Sequence, residues 1–345
     1  MALIVHDWCA RAAYLSGITL APVPDEEAAV ALASATANMR DMDGAPTLDA
    51  LSRWEPSFRP VVNGARRRPE DEPLPIPCLV GTDAARRHGG NIGCRRWGVG
   101  LPHGALVRLD DPSDPPHLGV FAPSPAFHWL LRTRGLGFGQ ALLLGCELCG
   151  TYSMAPQGMR RRPGPLTTPG EVADLLASVP DGARHVSTAR SAAPHLLDGC
   201  ASPREAATVL YASLPARRGG YGLPEPQRNH PVALNARARA LLPAKRAIYL
   251  DLAWPESHLA VEYDSHGHEE GMRPLEDKDR LVAAAHMGFE ILPLTPNMAD
   301  RRERLDAFME EVADRLGVRQ RPLCRSTLER RARLHRELFT PWNLW

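Results

Sequence analysis

The sequence predicts an α/β protein: a small mixed sheet flanked by helices in the C-terminal part, and a separate N-terminal α/β region. Three observations carry this. From residue 202 the pattern runs helix, strand, strand, helix, strand, helix, an order that packs helices against a small mixed sheet. Between 74 and 130, short apolar segments sit among Gly and Pro in the manner of short strands, and a helical pattern follows. The 345 residues are 44% hydrophobic and 23% charged, long enough for two domains and too apolar for disorder to dominate.

Residues 1–73 read as an N-terminal extension without an assigned role. They hold one helical pattern, "DEEAAVALASATANMRDM", and a charged, proline-bearing connector, "ARRRPEDEPLPIP", that runs on into the next region. In the 74–199 region "PCLVG" and "GALVRL" are short strands, and "SPAFHWLLRTRG" is a helix capped by Ser124 with Pro125 at its first position. "PGEVADLLASVP" and "STARSAAPHLL" add two helical patterns before the break at "DGCASP".

The 200–317 region opens with "SPREAATVLYASLPARRG", where Ser202, Pro203 and Glu205 make the capping-box arrangement at the head of a helix of three turns. "GGYGLPEPQRNHPVAL" is a turn-rich passage into extended chain, and residues 247 to 264 form a hairpin. A helix from about Leu275 to His286, the strand "FEILPLT" and the amphipathic helix "ADRRERLDAFMEEVADRLG", ending at Gly317, complete the region. Residues 318–345 read as a basic tail. Seven arginines against Glu329 and Glu337 give a local charge of +5 in a chain whose net charge is +1. Arg330 and Arg331 in this tail are the candidate phosphate contacts, the alternative being a solvated helix face.

Several classes are excluded or disfavoured. The first twenty residues lack the basic start and continuous apolar core of a secretory signal, and no run approaches the length of a membrane span, so the expectation is a soluble, cytoplasmic protein. Seven scattered cysteines fit reduced thiols, and Cys146 with Cys149 reads as two half-buried thiols one helical turn apart rather than half of a zinc site. Lys245 and Lys278 are the only lysines, and neither stands in a phosphate-binding loop motif.

The hairpin "IYLDLAWPESHLAVEYDSHGH" carries the chemistry. If "PESH" is the turn, Trp254 faces Leu259 and Asp251 faces Glu262, since each acid lies three residues from that pair. Alternation then puts Ile248, Leu250, Leu252, Trp254, Leu259, Val261 and Tyr263 on a core face. The opposite face gathers Asp251, Glu262 and Asp264 among Tyr249, Ala253 and Ala260. Like charges facing each other repel and need compensation. A hard divalent cation, protonation of one acid, a nearby arginine, or solvation would each supply it.

Asp251 followed by a turn and "VEYDSHGH" resembles the D…E-x-D-G…H signature of very-short-patch-repair-like endonuclease domains, members of the PD-(D/E)XK nuclease superfamily. The likeness extends to "SPRE", "GLPEPQ", "DLAWPESHLAVEYD" and "DKDRLVAAAHMGFEIL", covering about 200 to 298. More weakly, 74–199, with "SPAFHWLL" and "LGCELCGTYS", resembles the region preceding such domains in proteins similar to abortive-infection antitoxins.

The resemblance implies a restriction-endonuclease-like sheet and a Mg²⁺- or Mn²⁺-dependent endonuclease acting on DNA, in phage defence or a toxin–antitoxin-like setting. Asp251 and Glu262 take the metal-binding positions, with Asp264, in the place of the superfamily lysine, as a further ligand. His268 falls where this branch has its histidine, suited by its neutral-range pKa to accept or donate a proton; the alternative is a hydrogen bond within the fold. Glu205 matches the acidic residue of the first helix, and Arg280 is a candidate phosphate contact. A second copy of the chain and an antitoxin-like protein are the partner classes implied, without a choice between them. Two departures point to an alternative, a decayed nuclease fold acting as a nucleic-acid-binding regulator. Ser265 replaces the usual Gly, and Pro293 stands where the strand commonly offers Arg.

Overall fold

In a computed structural model the described residues are 2–37, 46–62, 74–86, 88–89, 92–110, 119–155, 157–263 and 273–340. The protein is α/β and divides into two compact units, one up to Asp198 and one from Gly199. Among the described residues no helix is long and apolar enough to cross a membrane.

The first unit does not separate an extension from an α/β region. Ala2–Ile4 pairs in parallel with Gly119–Pro123, and Leu106–Asp110 and Thr19–Pro22 continue that four-stranded sheet. Ile76–Val80 pairs with Ile92–Arg96 in a second sheet. Trp8, Leu51, Phe58, Leu74 and Val120 share one core, so residues before and after 73 bury the same apolar surface. Arg11 on the helix Asp7–Ser16 pairs with Glu147 on the helix Phe138–Cys149, both buried, which ties the N-terminus to the middle of the unit. Cys146 and Cys149 end the latter helix fully buried rather than half-buried, because the helix is enclosed by the unit's core, and burial pushes the Cys149 thiol up. Ser124 caps the helix Pro125–Thr133 by accepting from the Phe127 N–H at 3.3 Å, as its sequence predicts.

The second unit is built on one sheet in the order Gln227–Ala233, Ala247–Trp254, Leu259–Tyr263, Glu290–Leu294. The first two pairings are antiparallel and the last is parallel. The parallel step needs a crossover, which the helix Arg273–His286 supplies. Gln227–Ala233 is a strand where the sequence shows only an extended passage, because most of its residues are exposed and Pro231 interrupts it, both features of an edge. A further helix, Ala236–Leu241, capped by Asn235, also escaped the sequence pattern; it packs on Arg273–His286. Val232, Ile248, Leu250, Ala283 and Ala284 form the core between these elements.

The basic tail is not free chain. Arg325–Phe339 is a helix of this unit, held by buried Leu334, Leu338 and Phe339, whose spacing makes an apolar stripe under the arginines. Arg331 is buried, donates to the carbonyls of Gly219 (3.2 Å) and Gly220 (3.1 Å), and lies 3.7 Å over the Tyr221 ring. The close approach depends on Gly219: a Cβ there would stand 2.8 Å from the Arg330 carbonyl oxygen.

Candidate active site

The hairpin positions the acids. Its register pairs Leu252 with Val261, Ala253 with Ala260 and Trp254 with Leu259, so Asp251 and Glu262 stand opposite each other one step beyond the last paired residues. Directly opposed residues on adjacent strands point to the same side of the sheet. The turn Pro255–Ser257 closes at His258, whose φ of 52° is left-handed, and Trp254 Nε1 donates to the Pro224 carbonyl at 2.7 Å, pinning that end. Ala253 and Ala260 are fully buried, so this face is covered at its turn end, while Asp251 and Glu262 are part-exposed and Tyr249 beyond them is exposed.

At that opening the carboxylates replace part of the backbone ladder. The Asp251 N–H donates to Glu262 Oε1 at 3.2 Å, and the Tyr263 N–H donates to Asp251 Oδ2 at 3.0 Å. Each acid is thus held by the other strand, which fixes two like charges side by side. Arg280 on the crossover helix pairs with Glu262 Oε2 at 2.9 Å and also donates to the Tyr249 carbonyl. Even so, burial first, and the Asp251 charge second, raise Glu262 to about 7, with Arg280 opposing.

Glu205 joins from the opening helix Pro203–Ser213. Its N–H donates to the Ser202 hydroxyl at 3.1 Å, the expected half of a capping box. Its carboxylate accepts from the Ala201 N–H at 2.9 Å, one residue further back than a box requires, and sits 8% exposed. Burial raises Glu205 to about 7; the Ala201 donor opposes this and the Asp251 charge adds to it. Asn229 is a fifth group, and one that the sequence did not disclose. It falls opposite Asp251 in the register, between Arg228↔Leu252 and His230↔Leu250, with a left-handed φ of 48° inside a strand. Its amide nitrogen lies 3.4 Å from Glu205 Oε1.

Of the residues singled out from sequence, Asp251, Glu262, Glu205 and Arg280 come together here. Asp264 and His268, with Ser265 and His266, lie outside the described residues. Pro293 is exposed and sits beside Glu262 in the parallel pairing. Arg330 is exposed and donates to Thr327 on its own helix at 2.8 Å. Arg331, expected to face phosphate, instead turns its guanidinium inward to carbonyls and a ring, because the helix that carries it is docked.

Among the described residues no three His, Cys, Asp or Glu side chains group so as to hold a metal ion. The donor chemistry of the pair still suits a hard cation: two opposed carboxylates with a raised proton affinity at Glu262 compete for any positive charge that arrives, and oxygen ligands are what Mg²⁺ and Mn²⁺ take. Comparison with protein-family models, curated proteins and solved structures returns no match for this chain.

Proposed function

We propose that the C-terminal unit is a divalent-metal-dependent endonuclease that hydrolyses DNA phosphodiester bonds. The observation that carries this is the pairing of Asp251 with Glu262 on one side of a hairpin, with Glu205 from the preceding helix close enough that the Asp251 charge adds to its raised proton affinity. The mixed sheet flanked by helices is consistent with the restriction-endonuclease-like fold that the sequence resemblance implies. A setting in phage defence or beside an antitoxin-like partner follows from that resemblance alone.

Asp251 and Glu262, with Asp264, would hold Mg²⁺ or Mn²⁺, an ion that supplies Lewis acidity and takes up charge developing on a phosphate. The chain's own groups do the rest. The cross-strand bonds from the Asp251 and Tyr263 N–H groups orient the two carboxylates before any ligand arrives. Arg280, paired with Glu262, is a cation the chain itself places at this site and would serve as a phosphate contact. Glu205, raised into the neutral range, is able to hold or pass a proton beside Asp251, and His268 has the same capacity by resemblance.

One observation favours a second reading. The Arg280–Glu262 pair already supplies the compensating cation, which suits a decayed nuclease fold that binds nucleic acid without cutting it. Nicking of supercoiled plasmid DNA separates the two. The enzyme cuts with Mg²⁺ or Mn²⁺, stops on chelation, and loses at least a hundredfold of its rate in Asp251→Ala. A regulator binds DNA equally with and without that substitution and cuts in neither case.

A further inference from the structure

The N-terminal unit contains a cavity of about 410 Å³ lined by Arg95, Arg96, Arg134, Arg184 and His185. A second, of about 460 Å³, shares Arg95 and Arg134 with it and adds Arg132. The arginines come from three places in the chain: the strand Ile92–Arg96, the end of the helix Pro125–Thr133, and the turn before the helix Ser187–Ala192. Arg96 is paired with Asp83, and Arg132 donates to Asp7 at 2.8 Å. Arg95, Arg134 and Arg184 have no ion pair with any described residue.

Such a set is costly unless an anion completes it. Burial lowers the Arg95 proton affinity, the Arg134 and Arg132 charges lower it further, and Asp7 opposes them. Two of these arginines sit at the C-terminal end of a helix, whose dipole favours cations, and that accounts for their presence there. It does not account for Arg95 and Arg184 converging on them from other elements. Within the same turn His185 holds a left-handed φ of 63°, an uncommon conformation for a non-glycine residue.

We propose that this cavity binds a ligand carrying several linked phosphates, either a nucleoside triphosphate or the triphosphorylated end of a nucleic-acid strand. Guanidinium groups pair bidentately with phosphate oxygens, and three of them on separate elements suit successive phosphates better than one. The volume falls in the range of small-molecule sites. The site is separate in sequence from the hairpin acids, so it stands or falls without the nuclease reading.

Isothermal titration of the full chain, with chelator present so that no metal-dependent cutting occurs, tests it. The probes are ATP, inorganic tripolyphosphate, orthophosphate, and a single-stranded oligonucleotide bearing a 5′-triphosphate or a 5′-hydroxyl. Tripolyphosphate and ATP bind once per chain, at least tenfold tighter than orthophosphate, and at least tenfold weaker in the double variant Arg95→Gln, Arg134→Gln. That variant keeps or raises the Tm of the ligand-free protein, since it relieves repulsion. If it fails to fold, Arg184→Gln, on an exposed turn, carries the same expectation with a smaller loss. Asp251→Ala binds tripolyphosphate unchanged. Tighter binding of the triphosphorylated oligonucleotide than of ATP identifies a strand end as the source, and the reverse identifies the free nucleotide. No saturable binding up to millimolar ligand, undiminished binding in folded variants, or equal binding of both oligonucleotides without any of tripolyphosphate overturns the proposal.

Discussion

Glu262 meets two opposed demands: a buried place beside Asp251, and one arginine to offset it. Its proton affinity in the folded protein is raised from an ordinary 4.5 to about 7, so folding favours the protonated form. The associated stability is fully present below the unfolded value and is lost as pH rises through about 7. Glu262→Gln cannot ionise, so its stability relative to wild type improves between pH 5 and pH 8, by on the order of 1–3 kcal/mol in thermal or urea unfolding. No relative change between those pH values would show that the carboxylate is not strained. The pairing itself was legible in the sequence, because a two-residue period counted back from a turn fixes which residues face each other. Asn229 was not. Its place opposite Asp251 depends on a strand that the pattern did not announce and on a backbone angle that no single residue type dictates.

Among the elements, helices with capping signals were the easiest to read. Pro125–Thr133 and Pro203–Ser213 begin where Ser124 and Ser202 place them. Elements that escaped were short or exposed, among them the three residues of Ala2–Ile4, the edge strand Gln227–Ala233 and the helix Ala236–Leu241; for Arg325–Phe339 a helix face was one of the two readings, but its arginines hid the apolar stripe that docks it. The docking of that last helix makes two neighbouring arginines behave differently. Arg331→Ala removes two hydrogen bonds from a buried cation and its contact with Tyr221, and costs about 2–4 kcal/mol in urea unfolding. Arg330→Ala, at an exposed position, changes stability by less than about 0.5 kcal/mol. Equal small effects would mean that the helix is not held in this way.

At the scale of the whole molecule, a net charge of +1 gives no general attraction for DNA, so the proposed binding would have to come from local groups. Two such places exist on separate units, the hairpin acids that would take a cation and the arginine cavity that would take phosphate. The α/β class and a division near residue 200 were legible from the change of pattern at "DGCASP". That residues 1–73 belong to the first unit was not, since their core partners lie far along the chain. The hairpin account is tested most directly by Mn²⁺ binding to the full chain, followed by calorimetry at pH 8, where Glu262 is ionised. It predicts saturable binding that weakens at least tenfold at pH 6 and at least tenfold in Asp251→Asn, a variant whose Tm is not lowered. Absent binding, or binding indifferent to both the pH and the substitution, would contradict it.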